Sequence, residues 1–376
     1  MRICMVSPEF FPKPSGLANY VYYLSKTLVR RGHDVTIITR GGSRGYIQEN
    51  VDEIRVIKAW FAPLYPFHVH LHGIFVNNLI NSLRNQFDLI HAHSALIPVV
   101  KTSLPLITTI HSAMKSDVRL TEVRDFRSLL LKILEPVCLS LEKHLLSRSD
   151  LITAVSRSVA LQLQEYGVNV DDVFVLGNGV DDRLFTSNNK HKSKNILCVT
   201  RMAPGKGLFD LLECAEIVCK EHVDVRFVIV GDGPFRSSLI RMAYRKGLGS
   251  RFLCVGYRGH KSLVRFYQDA VIYVIPSYHE GLPTTVLEAM ACNLPVVGTS
   301  VPGTVDIVEQ GNTGFLVPVK SPSSMAKAII TLLSDKHLRY KMGSTARKII
   351  EKNYTWDVVA DRAEKLYFSF LEGDFS

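Results

Sequence analysis

The sequence predicts an α/β protein built from two doubly wound, Rossmann-like domains. Three observations carry that prediction. Short β-branched, apolar runs alternate with longer amphipathic segments from end to end. The runs are apolar throughout, not alternately polar and apolar, as in parallel strands covered on both faces. A polar stretch, TSNNKHKSKN (186–195), divides the runs into two series, in a chain whose 376 residues are too many for one core.

The first series opens with RICMVS, a short strand ended by Pro8 and followed by an amphipathic segment, YVYYLSKTLVRRG. DVTIIT, IRVIKA, DLIHAHS, LITTIH, LITAVS and DVFVLGN follow, each a β-branched or apolar run of strand length. After the polar break the pattern restarts with ILCVTR, VRFVIVG, RFLCVG, VIYVIP, LPVVGT and GFLVP. The final piece, YTWDVVADRAEKLYFSFLEG, has apolar residues near helical spacing and no strand after it, so it reads as a closing amphipathic helix.

Net charge narrows the partners. Lys and Arg number 45 against 35 Asp and Glu, a formal charge of +10 that calls for an anionic partner: nucleic acid, a membrane surface or a phosphorylated small molecule. The charge is dispersed and no recognised nucleic-acid motif occurs, which sets nucleic acid aside. The 7 cysteines are scattered, never spaced as CxxC and mostly set in apolar runs, so they predict a reduced, cytosolic protein. Met1-Arg2 leads straight into ICMVS, which predicts no signal peptide, and no apolar stretch reaches the length of a membrane span.

In doubly wound sheets, ligands bind beyond the carboxyl ends of the strands, so residues just after each run are the candidates. After VIYVIP comes SYHEGLPTTVLEAMA, with Glu280 in the exit loop and Glu288 in the helix that Thr284 or Thr285 can cap. Thr285-Val-Leu-Glu288 also matches a capping box, in which the carboxylate only satisfies a backbone N–H. Glu280 has no capping duty, and the helix start after it offers N–H groups to an anion. After ILCVT, Arg201 and Lys206 bracket a Pro-Gly turn, and a guanidinium fork with a lysine point charge suits diphosphate oxygens; a solvated basic turn is the plain alternative.

His111 ends LITTIHS, and His91 and His93 lie in DLIHAHS. Alternate side chains of a strand share a face, but no carboxylate lies at HExxH-like spacing, so we expect no metal site. His111 reads either as a structural histidine or as a substrate contact. Between the first strand and its following segment, Gly16 lets backbone approach a ligand. Neither that loop nor GDGPFR (231–236) completes GxGxxG, so NAD is not indicated.

Taken together, these residues resemble the retaining glycosyltransferases of family four, which have the GT-B fold of two Rossmann-like domains facing a central cleft. The resemblance covers nearly the whole chain in order: a glycine loop after the first strand, NGVD (Asn178 to Asp181), RMAPGKG, GDGP, and E-x7-E from Glu280 to Glu288. It implies an acceptor-binding domain over residues 1–185, a nucleotide-sugar-binding domain over 186–350, and a terminal helix, 351–376, crossing back to the first domain. It further implies that Glu288 binds the ribose hydroxyls of a sugar nucleotide while Arg201 and Lys206 hold its diphosphate. Backbone at Gly16 and Gly281, and from Leu282 through Pro283 and Thr284 to Thr285, would assist them. Glu280 and His111 would contact the transferred sugar, and Tyr257 and Arg258 the base. One departure stands out: many members have two adjacent glycines in the first loop, and this chain has Ser15-Gly16.

The reaction so implied moves a hexose or N-acetylhexosamine from a UDP- or GDP-linked donor, the co-substrate, to an acceptor hydroxyl, with no cofactor. No Asp-x-Asp pair occurs, so Arg201, Lys206 and a helix start take the place of a metal clamp. A front-face, oxocarbenium-like path competes with double displacement through Glu280. The acceptor is a glycolipid, polysaccharide or small glycoside, as in cell-envelope glycan synthesis. Residues 59–83 are rich in aromatics and 119–148 mix Arg and Lys with Leu, a surface that suits anionic lipid on the inner face of a membrane and a lipid-linked acceptor. Ordinary helix packing with a solvated charged face is the other reading; the mean hydropathy of +0.11 leans toward the membrane. A GT-B sugar-nucleotide epimerase and a non-catalytic sugar-nucleotide binder are the rival functions.

Overall fold

The computed structural model describes the chain apart from residues 13–14, 42–44, 63–67, 95–96, 116–117, 119–129, 131, 189–193 and 374–376. Most of the arginine-rich start of the 119–148 segment, and part of the aromatic 59–83 segment, lie outside the described residues. The chain forms two compact units: unit 1 is Met1–Gly179 with Trp356–Ser376, and unit 2 is Val180–Thr355.

In unit 1, β1 (Arg2–Val6) is buried from Ile3 onward, as a run apolar on both faces requires. α1 (Gly16–Arg30) starts where the Ser15 hydroxyl accepts from Ala18 N at 3.0 Å, a side-chain cap. There follow β2 (Asp34–Gly41), β3 (Tyr46–Val51), β4 (Ile54–Trp60), α2 (His68–Leu83), β5 (Leu89–Ser94), β6 (Leu106–Ile110), α3 (Glu135–Arg148), β7 (Leu151–Ala154), α4 (Arg157–Gln162) and β8 (Val173–Val175). The sheet runs β3-β4-β2-β1-β5-β6-β7-β8, parallel except where β3 pairs antiparallel with β4. That hairpin departs from the all-parallel expectation. Its outer strand, YIQENV, is largely exposed, and a solvated edge strand needs no apolar run to announce it.

The terminal helix, Trp356–Glu372, belongs to this unit. Trp356 packs edge-on to Tyr20 and stacks on Tyr23, with ring centroids 5.5 and 5.7 Å away. It lies so close to Gly179 that a β-carbon there would sit 2.4 Å from the indole. Further along, Arg362 donates to Leu176 O at 3.2 Å, and Tyr367 OH lies 2.7 Å from His91 Nδ1. The apolar spacing read from the sequence is thus the face laid on α1 and the sheet.

Unit 2 contains β9 (Asn195–Val199), α5 (Leu208–Glu221), β10 (Arg226–Val230), α6 (Arg236–Arg245), β11 (Phe252–Gly256), α7 (His260–Gln268), β12 (Ala270–Ile275), α8 (Thr284–Ala291), β13 (Val296–Thr299), β14 (Gly314–Val317), α9 (Pro322–Ser334) and α10 (Lys336–Asn353). The sheet order is β11-β10-β9-β12-β13-β14, parallel throughout. The order reverses between β9 and β12, so their carboxyl ends open side by side at a topological switch point. All seven cysteines are unpaired thiols. Among the described residues, no helix is long and apolar enough to cross a membrane.

Candidate active site

Both strands at the switch point of unit 2 end in loops that the sequence singled out. The β9 exit, Thr200 to Gly207, is held from one side by the GDGP turn: Met202 N donates to Asp232 O at 2.8 Å and Phe235 N to Met202 O at 2.9 Å. Close approach is the purpose of these glycines, since a β-carbon on Gly231 would lie 1.9 Å from Thr200 O. GDGP is therefore the clamp of the RMAPGKG loop. On the other side, Tyr278 N donates to Gly205 O at 2.8 Å, which ties the β9 exit to the β12 exit.

This stitching brings two predicted residues together. Lys206 Nζ lies 2.6 Å from Glu280 Oε1, with both side chains mostly buried. Arg201 leaves the same loop with its side chain in solvent. Beneath Glu280 and Gly281 runs Gly303, with φ of +79° and room for no side chain, because a β-carbon would stand 2.3 Å from Gly281 O. Gly281, Leu282 and Pro283 lead into α8, whose first residues are Thr284 and Thr285.

Glu288 corrects one alternative. Pro283 is the N-cap of α8, no side chain caps that end, and Thr285 is already inside the helix, so the capping box does not form. The Glu288 carboxylate instead faces α7: Tyr267 OH donates to Oε2 at 2.6 Å, and His260 Nε2 lies 3.2 Å from Oε1. Burial pushes the Tyr267 phenol well above its ordinary pKa, and Glu288 adds to the shift, so Tyr267 stays protonated and donates. A carboxylate 6% exposed is thereby fixed at both oxygens, with the uncapped first turn of α8 nearby in sequence. Tyr257 and Arg258 sit in the loop between β11 and α7, with Tyr257 exposed and Arg258 donating to Tyr257 O at 2.8 Å.

In unit 1, Gly16 is the first residue of α1, and a β-carbon there would meet nothing within 4 Å. His111 follows β6, its Nε2 at 3.4 Å from His93 Nδ1 and its ring edge-on to Tyr20 at 4.7 Å. Desolvation lowers the His111 pKa to about 3, so the imidazole is neutral around pH 7. His91 and His93 share one face of β5 as the strand period requires. His91 is spent on structure, at 2.7 Å from Tyr367 OH and 2.6 Å from Thr109 Oγ1.

His260 and Tyr267 were not anticipated. His260 opens the helix after RFLCVG, so attention to strand exits alone would have found it. Tyr267 carries no sequence signal, since its role arises from α7 lying against α8. The same holds for Asp210, which accepts from Tyr278 OH at 2.8 Å and steadies the loop beside Lys206.

Known proteins share the sequence pattern and the fold of this chain. The family described as "Glycosyl transferases group 1" matches residues 180–349, and "Glycosyltransferase Family 4" matches residues 14–184. One subunit of the human phosphatidylinositol N-acetylglucosaminyltransferase is 28% identical over 97% of this chain and 75% of its own length. Sucrose-phosphate synthase of Thermosynechococcus elongatus has the same fold, with a TM-score of 0.80 at 22% identity over 99% of both chains. An Anabaena protein solved with UDP and glucose gives 0.75 at 18% identity, over 98% of this chain and 99% of its own. Two doubly wound units of this kind are those of the GT-B fold. The chain belongs to glycosyltransferase family four, the group 1 glycosyltransferases, and transfers glycosyl groups from nucleotide sugars.

Proposed function

We propose that this enzyme moves a hexose or N-acetylhexosamine from a UDP-linked donor, or a GDP-linked one, to an acceptor hydroxyl with retention at the anomeric carbon and without a metal ion. The observation that carries the proposal is the Lys206–Glu280 pair, 2.6 Å apart at the switch point of unit 2. The Anabaena protein solved with UDP and glucose supports a uridine donor, and the name of the human relative supports N-acetylglucosamine.

In this reading Lys206 and Arg201 neutralise the diphosphate as the anomeric bond breaks, with backbone at Gly281, Leu282, Pro283, Thr284 and Thr285 and at Gly16 beside it. Glu288 accepts from the ribose hydroxyls, Tyr267 keeping its carboxylate oriented. Tyr257 and Arg258 meet the base. Neutral His111 and Glu280 contact the transferred sugar. The Lys206 ammonium on Oε1 draws charge from the Glu280 carboxylate and makes it a weaker nucleophile. The pairing therefore favours a front-face, oxocarbenium-like path in which Glu280 stabilises positive charge. Residues 1–185 take the acceptor, residues 186–350 the donor, and the acceptor is a lipid-linked or soluble hydroxyl met on the cytoplasmic side of a membrane.

Calorimetry of the purified protein with UDP-N-acetylglucosamine, UDP-glucose and GDP-mannose, without metal, tests the donor. Binding of one nucleotide class that is lost in Glu288→Ala and Lys206→Ala supports the assignment; a folded wild type that binds none overturns it. The anomeric configuration of the product, read by NMR, tests retention.

A further inference from the structure

Parallel strands are ordinarily joined by a crossover of a dozen or more residues that includes a helix. Between β5 and β6 only residues 95–105 are available, and residues 97–105 form no helix. A non-helical segment covers the sheet instead: Ile97 and Val100 join the core of Val76, Ile90, Leu106 and Leu145, while Pro98, Val99 and Lys101 line the other side. The place of the missing helix is a trough of about 950 Å³ between α2 and α3.

The trough is preformed. Asn77 on α2 donates to Val99 O at 3.0 Å and accepts from Lys101 N at 2.6 Å, satisfying backbone groups that no helix or sheet pairs. Gly73 lets α2 close on this segment, since a β-carbon would lie 2.8 Å from Pro98 Cβ. Val69, Ile74, Pro98, Val99, Val137 and Leu141 line it with apolar surface, and Ile74 and Val137 are 56% and 39% exposed. Lys101 and Arg148 supply two cations, beside His70 and His144, and no Asp or Glu lines it among the described residues.

We propose that this trough holds the hydrocarbon chain of an anionic amphiphile, acyl or isoprenyl, with Lys101 and Arg148 at its phosphate or carboxylate head. The volume is that of a small-molecule site, apolar with a few polar groups at its margin. Charge selects the head group, since a neutral amphiphile leaves both cations unused. The site lies wholly within unit 1, goes beyond the transfer reaction and does not rest on the donor reading.

Calorimetry of the full chain with dodecyl phosphate below its micellar concentration tests it, with dodecyl maltoside and inorganic phosphate as controls. UDP binding, thermal melting and sedimentation are recorded on the same samples. Dodecyl phosphate should bind, inorganic phosphate should not, Lys101→Glu and Arg148→Glu should each weaken binding tenfold or more, and Ile74→Glu should abolish it, all with unchanged melting. The proposal falls if the folded protein does not bind dodecyl phosphate, if the maltoside binds equally well, or if the variants make no difference. It also falls if the wild type is a dimer that Ile74→Glu dissociates, for then a second copy fills the trough. UDP binding reports separately on the donor site, so the two readings fail independently.

Discussion

Lys206 and Glu280 are bonded to each other, ammonium to carboxylate at 2.6 Å, across two loops 74 residues apart in sequence. Each therefore holds the other in place before any substrate arrives. Removing one partner of such a pair costs about 2–5 kcal/mol, part of it from the charge left behind. Lys206→Ala should lower kcat/KM by about 30-fold to several thousandfold. Glu280→Gln should keep affinity for free UDP within about threefold while transfer collapses, the signature of a group needed at the sugar. Steady-state kinetics with parallel UDP calorimetry checks both. A Gln variant that transfers normally would remove Glu280 from the chemistry.

Tyr267→Phe keeps volume and deletes one hydrogen bond to the Glu288 carboxylate. Hydrogen bonds to charged groups are worth about 1.5–3 kcal/mol, so nucleotide affinity should fall by roughly tenfold to a hundredfold. Titration with UDP measures it. If Glu288 instead served only the fold, melting would drop and UDP affinity of the folded fraction would stay.

Gly207→Ala tests the loop clamp. The residue has φ of +59°, and a β-carbon would sit 1.9 Å from Pro276 O, so the β9 exit must move away from the β12 exit. Strained backbone of this kind costs about 1–3 kcal/mol, and Tm should fall by several degrees. Donor affinity should fall further than stability explains, because Lys206 is the preceding residue. Thermal unfolding and UDP binding, compared with Gly205→Ala, where a β-carbon meets nothing within 4 Å, separate the two effects.

Acid should weaken unit 1 before its carboxylates are reached. Burial holds His91 and His111 down to about 3, from 6.5 in the unfolded chain. Between those values the unfolded chain binds more protons, so stability declines as pH falls from 6.5 toward 3, and these groups add no slope above 6.5. Urea unfolding at pH 7.5, 5.5 and 4.5 should show the decline, and His91→Gln should flatten it. An unaltered slope in that variant would place the acid sensitivity elsewhere.

Much of this was legible because burial on both faces writes itself into sequence as an unbroken apolar run. RICMV, RFVIV and AVIYVI had to be strands, and the rule of strand exits then pointed at Lys206 and Glu280. What was illegible depends on contact alone. YIQENV pairs with β4 through backbone atoms, which leave no trace in side-chain pattern. Glu288 reads as a cap until α7 is in place, because four residues suffice for the capping signature while Tyr267 is 21 residues away. Asn77, pinning Val99 and Lys101, belongs to no motif at all.

The return of the terminal helix to unit 1 has a consequence for biosynthesis. Translation delivers Val180–Thr355 as one contiguous piece before Trp356 is made. Domains commonly mature in the order in which they leave the ribosome. Here that order inverts: the second unit can be finished on the nascent chain while the first still lacks its Trp356 cover over Tyr20 and Tyr23. Until Trp356 and its helix have left the ribosome that aromatic face is open, which makes this nascent chain the species most in need of a chaperone.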